Sequence, residues 1–166
     1  MAYARRPRVL LSLVVALACQ RAPRPLVAGT DACEYCRMTV SDVRFGGEIE
    51  SRTGRIHTFD AVECLASFYL AASERGDVRS AWATDFESGR FVPVDSAIFI
   101  YEGRVSSPMG RSLVALAPDT PDDTRRGYGG RQLAWPEILD MFRVRGMEPG
   151  AKSRDTASAR PHRGSP

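Results

Sequence analysis

The stretch "DAVECLASFYLAASERG", residues 60–76, has the strongest helical pattern in this sequence. Its apolar side chains recur at spacings of three and four residues, which is the period of one face of an α-helix. Asp60 is a suitable N-cap with Glu63 at the capping-box spacing, and Gly76 is a suitable C-cap. The pattern therefore predicts a helix over residues 61–75. The predicted apolar face consists of Val62, Leu65, Phe68, Tyr69 and Ala72.

The segments on both sides of this helix have the short period of β-strands. Residues 42–59 alternate loosely around a turn at Gly54, and they predict a β-hairpin. After the helix, Ser88-Gly89 predicts a second hairpin turn between two apolar runs. Pro93 lies in the second of these runs and predicts an edge strand or a bulge, because proline cannot donate to a ladder.

The C-terminal half repeats the order of strands followed by a helix. Apolar runs predict strands in 97–102 and 113–117, and helical spacing predicts a last helix in 134–146. The segments "FDAVECL" and "LAWPEIL" each follow strands, which suggests two similar halves. The whole pattern predicts one small α+β domain of mainly antiparallel strands with two principal helices.

The N-terminus has the pattern of a bacterial export signal. Three arginines precede the apolar run "VLLSLVVALA", residues 9–18, which is too short to span a bilayer. Cys19 follows directly, as in lipoproteins, so residues 1–18 are the predicted signal peptide and Cys19 is the predicted lipidation site. An ordinary secretory signal with an incidental cysteine is the alternative. Because Gln20 rather than aspartate follows, we expect an outer-membrane anchor that faces the periplasm.

The rest of the chain divides into three segments. Residues 19–30 are rich in proline and small residues and predict a tether, 31–148 predict the folded domain, and the polar residues 149–166 predict a disordered tail. The whole chain has a net charge of +3, which comes from its two ends. The middle of the chain is slightly acidic and has no basic patch, which excludes nucleic-acid binding. We find no serine–histidine–aspartate arrangement, phosphate loop or carboxylate pair, so we predict a protein that is not an enzyme.

The stretch "CEYCRM", residues 33–38, places three sulfur atoms within six positions. Thiolate and thioether are soft donors, which select Cu(I) over hard cations. Met38 is the informative member, because zinc sites use cysteine, histidine and carboxylate, and a thioether forms no disulfide. If a strand begins after the turn, Cys36 and Met38 point to one face, and Cys33 reaches it across the turn. Met109, between Pro108 and Gly110, has little reason to be there for packing and can close the site from across the domain.

Two other functions remain open at this point. A periplasmic thiol–disulfide oxidoreductase would use Cys33 and Cys36 and would need neither methionine. A zinc-stabilised lipoprotein would use these two cysteines together with His57 and Cys64. We interpret His57 as a packed or solvent-facing histidine, and Cys64, on the apolar side of the predicted helix, as a buried small hydrophobic residue.

Four segments together resemble the NosL family, the accessory proteins of nitrous oxide reductase: "CEYCRM", "HTFDAVECL", "SPMGRSLVALA" and "GGRQLAWPEIL". The resemblance runs from about Cys33 to Leu139. It implies an α+β fold of two similar halves, related to the MerB fold. It also implies a periplasm-facing lipoprotein that binds Cu(I) and passes it toward nitrous oxide reductase or its copper-delivery transporter complex.

The resemblance also implies a ligand set. Cys36 and Met38 match the family motif as copper ligands, Met109 follows, and Cys33 is a further donor. Asp31 is a nearby carboxylate that can assist. Arg37 stands where the family motif often has glycine, directly before the methionine.

Overall fold

The computed structural model describes residues 22–145. The predicted signal peptide 1–18, the predicted lipidation site Cys19 and the predicted tail 149–166 lie outside these residues. Within the described part of the chain, no helix combines the length and the apolar character that crossing a membrane requires.

The described residues form two antiparallel sheets and three α-helices, which confirms the predicted α+β class. The first sheet has the strand order β2-β1-β3-β4 and the second has the order β6-β5-β7. The elements are a 3₁₀ turn (Val43–Phe45), β1 (Gly47–Ser51), β2 (Ile56–Phe59), α1 (Val62–Glu74), β3 (Val78–Thr84), β4 (Phe91–Pro93), β5 (Ile98–Tyr101), β6 (Val114–Leu116), α2 (Asp122–Gly127), β7 (Arg131–Leu133) and α3 (Trp135–Arg145).

The first predicted hairpin is confirmed as β1 and β2, which pair antiparallel with Glu48 opposite Thr58. It begins at Gly47 rather than at residue 42, because Asp42 accepts a hydrogen bond from the Arg44 amide and starts a 3₁₀ turn instead. A Cβ atom on Gly47 would lie 2.7 Å from the Trp82 carbonyl oxygen. The glycine therefore permits β1 to approach β3 closely.

Helix α1 is confirmed within one residue of its predicted bounds, but its predicted capping box is wrong. Its N-cap is Ala61, which makes no side-chain cap. The Asp60 carboxylate instead accepts from the Ser41 amide at 2.8 Å, and Glu63 accepts from the Ser107 hydroxyl. Both carboxylates are thus occupied by distant loops. At the other end, Gly76 has a φ of 66° and follows the last turn, as predicted.

The second half joins the first through a shared core. The predicted turn at Ser88-Gly89 connects β3 and β4, and Pro93 lies on the edge strand as predicted. A parallel bridge between Asp85 and Ala115 links the two sheets. The main core contains buried residues of both sheets and of helices α1 and α3, among them Ile49, Phe59, Leu65, Phe99, Leu113, Trp135 and Ile138.

Candidate metal centre

The turn that carries the first two cysteines is held by backbone hydrogen bonds. The Cys33 amide donates to the Met38 carbonyl at 2.7 Å, and the Arg37 amide donates to the Cys33 carbonyl at 2.9 Å. Ala32 and Thr39 form an antiparallel bridge just outside this pair. Residues 32–39 therefore form a closed turn, and Arg37 takes a left-handed conformation with a φ of 65°.

Strand β2 fixes this turn against the first sheet. The Thr58 hydroxyl donates to the Ala32 carbonyl at 2.9 Å, and the Glu34 amide donates to the Thr58 carbonyl at 2.8 Å. The Asp60 carboxylate accepts from the amide of Ser41, two residues after the end of this turn. The turn thus lies against the end of β2, where the chain enters α1.

This placement brings three thiols together. The sulfur atoms of Cys33, Cys36 and Cys64 all lie within 4.8 Å of one another, and none of them is in a disulfide. Cys33 and Cys64 are fully buried, whereas Cys36 is half-buried. Three sulfurs at about 2.3 Å from one metal ion would stand roughly 4 Å apart, so a small contraction of the cluster suffices to hold a soft ion.

The three thiols have different pKa values because they share hydrogen bonds. The Cys64 thiol donates to Cys33, and the amides of Cys36 and Asp60 also face that sulfur; against the effect of burial, they lower the pKa of Cys33 to about 5. The same bond to Cys33, together with burial, raises the pKa of Cys64 strongly. Burial is the main cause that raises the pKa of Cys36. Cys33 is therefore the thiol of the cluster that loses its proton most readily.

The predicted methionine ligands occupy different surroundings. Met38 is 51% exposed, while its amide faces the Cys36 sulfur. Met109 is half-buried and packs against the core that includes Cys33 and Cys64. Its loop is tied to α1 by the hydrogen bond from Ser107 to Glu63. Both methionines stay predicted ligands.

Cys64 is the residue whose role the sequence interpretation did not anticipate in a copper site. Its predicted burial is confirmed, but its sulfur belongs to the thiol cluster. The sequence feature that could have indicated this role is the position of Cys64 in the first turn of a helix that directly follows β2. That position places a side chain beside any loop packed on the end of the strand.

Two other predicted contributors lie elsewhere. His57, the fourth ligand of the zinc alternative, is not in the group of clustered ligand atoms; its ring packs on Phe68 with the centroids 4.7 Å apart. Asp31, the expected assisting carboxylate, is paired with Arg24 at 2.7 Å, and the hydrogen bond from that guanidinium lowers its pKa. Neither side chain joins the thiol cluster.

The fold and the cluster together define a small α+β domain with a sulfur-rich site suited to a soft metal ion. The chain belongs to the NosL family, whose model matches residues 26–141. A similar solved structure is that of the copper chaperone NosL from Shewanella denitrificans, with a TM-score of 0.56 and 19% sequence identity. The match covers 72% of this chain and 99% of that chain, and at this identity it shows a shared fold. No curated relative matches the sequence.

Proposed function

We propose that this protein is a membrane-anchored, periplasm-facing Cu(I) chaperone that delivers copper for assembly of the copper centre of nitrous oxide reductase. One observation carries the proposal: three thiol sulfurs lie within 4.8 Å of one another in a chain of the NosL family. The description of the Shewanella denitrificans protein as a copper chaperone supports the same conclusion.

The chemistry of the donors suits Cu(I) as cargo. Thiolates are soft ligands, and Cu(I) is the soft ion that they favour. The low pKa of Cys33, caused first by its hydrogen bond from Cys64, provides a thiolate without the need to remove a proton at neutral pH. Binding of the ion would then displace protons from Cys36 and Cys64, so both can become ligands. The thioethers of Met38 and Met109 are further donors for ligand exchange.

The burial pattern suits a protein that must hold its cargo and then release it. Cys33 and Cys64 are inaccessible to solvent, whereas Cys36 is partly accessible. A partner's sulfur can therefore reach the ion from the side of Cys36 and replace the ligands one at a time. A closed cage with four buried ligands would offer no such approach.

The same pattern argues against the oxidoreductase alternative. In thiol–disulfide exchange, the attacking group is a thiolate that its substrate can reach. Here the thiol with the lowered pKa, Cys33, is fully buried, and the accessible thiol, Cys36, has a raised pKa. The thiol that most readily becomes a thiolate is therefore not the thiol that a substrate can reach.

Competition with a chromophoric Cu(I) chelator under anaerobic conditions tests copper binding. We expect tight binding of one Cu(I) per chain and a large loss of affinity in Cys33→Ser, Cys36→Ser and Cys64→Ser. Ala66→Ser is the matched control, because Ala66 is also fully buried in α1 but lies outside the thiol cluster. Unchanged affinity in all three cysteine variants would contradict the proposed site.

Delivery and anchoring need measurements in cells. We expect nitrous oxide reductase purified from cells that lack this chain to be poor in copper, and the wild-type chain to restore its copper content. Cys19→Ser should move the chain out of the membrane fraction. Normal copper content without the chain would contradict delivery, and an unchanged membrane fraction would contradict the lipid anchor.

A further inference from the structure

The segment that precedes the cysteine turn lies on the first sheet. A Cβ atom on Gly47 would point at Leu65 of α1, so the residue before it, Gly46, faces the opposite side of the sheet. A Cβ atom on Gly46 would overlap the Leu26 side chain. Leu26 therefore packs on the side of the sheet that faces away from α1. We call residues 22–31 the strap.

A buried carboxylate lies beneath the strap. Glu48 of β1 is fully buried, and within residues 22–145 neither of its carboxylate oxygens has a hydrogen-bond partner of normal geometry. Burial is the main cause that raises the pKa of Glu48, and the charges of Asp31 and Glu50 act in the same direction. The amide and the charge of Arg24 act against them. The closed strap therefore disfavours the charged form of Glu48.

One ion pair closes the strap on itself. The Arg24 guanidinium donates to both carboxylate oxygens of Asp31, at 2.7 and 3.0 Å. The Val27 amide donates to the same carboxylate at 2.7 Å. Because its positive charge also acts on Glu48, Arg24 serves two carboxylates. It binds that of Asp31 directly and offsets part of the cost of burying the other.

A continuous ladder joins the strap to the turn of residues 32–39. The Val40 amide donates to the Asp31 carbonyl at 2.8 Å, and the Gly29 amide donates to the Val40 carbonyl at 2.9 Å. These bonds extend the backbone pairing of the turn into the strap. Cys33 follows two residues after Asp31, the residue whose carboxylate closes the strap.

The distance between two of the thiols depends on how this turn is fastened to the domain. The turn keeps its shape through its own backbone bonds, but Cys64 belongs to α1, a separate element. Their sulfurs stay within 4.8 Å only while the turn that carries Cys33 keeps its place on the sheet. Thr58 fastens the turn to β2, and the strap fastens its other end to the sheet through Leu26.

We propose that Arg24 is a positioning residue of the copper site: by closing the strap, it holds Cys33 beside Cys64 and slows the loss of Cu(I). This inference rests on the proposed function. The charge of Glu48 acts in the opposite direction, because a carboxylate is better solvated when the strap is open. Arg24 thus favours the closed strap, and ionised Glu48 favours the open one.

The rate of copper release tests this proposal. Full-length chains loaded with Cu(I) are mixed at pH 8, without oxygen, with a chromophoric chelator at concentrations where the rate no longer depends on the chelator. We expect Arg24→Gln to release Cu(I) about fivefold faster than wild type. Glu48→Gln should release it more slowly than wild type. Arg44→Gln is the matched control, because Arg44 forms a similar pair with Asp42 at 2.6 Å outside the strap and the turn.

Hydrogen exchange shows whether the strap itself responds. The Val27 amide, which donates to the Asp31 carboxylate, should exchange faster in Arg24→Gln and as in wild type in Arg44→Gln. Arg24→Lys keeps the positive charge near Glu48 but cannot form a pair with two parallel hydrogen bonds. Its exchange rate and its copper release should therefore lie between those of wild type and Arg24→Gln.

The two directions of change separate positioning from a general loss of stability. Faster release in both Arg24→Gln and Glu48→Gln would overturn the proposal, because loosening of the whole fold would explain it. Faster exchange of the Val27 amide with unchanged release in Arg24→Gln would also overturn it. If Arg24→Gln does not fold, release from Glu48→Gln that is no slower than wild type is decisive against it. Absence of Cu(I) binding by the wild-type chain would overturn the proposed function as well.

Discussion

The turn that carries Cys33 and Cys36 and the loop that carries Met109 are fastened in different ways. Backbone hydrogen bonds close the turn from Ala32 to Thr39, so its shape depends little on side chains. The loop is tied to α1 by one side-chain hydrogen bond, from Ser107 to Glu63. Cys33 and Cys36 are thus positioned by backbone hydrogen bonds, whereas the loop of Met109 is held by a buried side-chain hydrogen bond and by the packing of Met109 against the core.

The largest expected effect concerns that carboxyl group. Burial raises the pKa of Glu63 from 4.5 to about 7. The folded chain therefore keeps a proton that the unfolded chain loses, and its free energy of unfolding falls as the pH rises from 4.5 to about 7. Removal of this effect in Glu63→Gln should stabilise the protein by about 3 kcal/mol at pH 8. The measurement is urea denaturation from pH 4.5 to 8.

Glutamine keeps an oxygen that can accept from Ser107, so the loop should stay in place in this variant. Glu74→Gln, at the exposed end of the same helix, is the control and should leave the pH dependence unchanged. An identical pH profile in Glu63→Gln and wild type would show that the carboxyl group is not protonated in the folded chain.

A variant of Asp60 tests how the turn of residues 32–39 is held in place. Asp60→Ala removes the acceptor of the Ser41 amide and should lower the free energy of unfolding by about 2 kcal/mol. Because the bonds inside the turn are unaffected, Cu(I) affinity should change much less than in Cys33→Ser. Denaturation and chelator competition measure the two effects, with the exposed Asp95→Ala as the control. A loss of affinity as large as that of Cys33→Ser would mean that the turn is not self-supporting.

A variant of Ser107 tests how the loop that carries Met109 is held in place. Ser107→Ala removes the hydroxyl that donates to Glu63 and should lower the free energy of unfolding by about 1 kcal/mol. If the hydrogen bond positions Met109 as a ligand, Ser107→Ala should also lower Cu(I) affinity, and should lower it no further in a Met109→Leu chain. Ser106→Ala, the exposed neighbour, is the control. If the effects of Ser107→Ala and Met109→Leu on Cu(I) affinity are additive, the hydrogen bond does not act through Met109.

The smallest expected effect is a gain in stability. Arg37 has a φ of 65°, a conformation that glycine adopts without strain. Arg37→Gly should raise the free energy of unfolding by about 0.5 kcal/mol, since relief of strain outweighs the extra entropy of the unfolded chain. Thermal denaturation measures it, with Arg90→Gly as a control that should not gain stability. Destabilisation by Arg37→Gly would show that the arginine side chain helps to hold the turn.

Helix α1 and the hairpin turns were predicted well because the patterns that indicate them lie within a few consecutive residues. Apolar periodicity predicted α1, glycine predicted both hairpin turns of the first sheet, and Pro93 predicted an edge strand. The capping box was wrong because Asp60 and Glu63 bind partners 19 and 44 residues away. No pattern within one helix can show that its first carboxylates are occupied by distant loops.

The site was harder to predict for the same reason. Alternation along a strand was expected to place Cys36 and Met38 on one face, but Arg37 between them has a left-handed backbone conformation, and no strand of the structure includes either residue. The presence of Cys64 in the cluster depends on the rotation of α1 relative to the turn, which tertiary packing sets. Sequence reasoning found the sulfur-rich segment, and the structure added the third thiol.

An odd number of thiols in the cluster has a consequence if the chain is exported to the oxidising periplasm, as proposed. A disulfide joins two sulfurs, so any pairing within the cluster leaves one of Cys33, Cys36 and Cys64 with its proton or its charge. In the reduced cluster each sulfur lies within 4.8 Å of the other two, so the third thiol is already close to the place where a disulfide would form and exchange. An oxidised chain would thus be a set of interconverting isomers rather than a locked product. Each isomer keeps one sulfur available through which reduction, and the return of the metal, can begin.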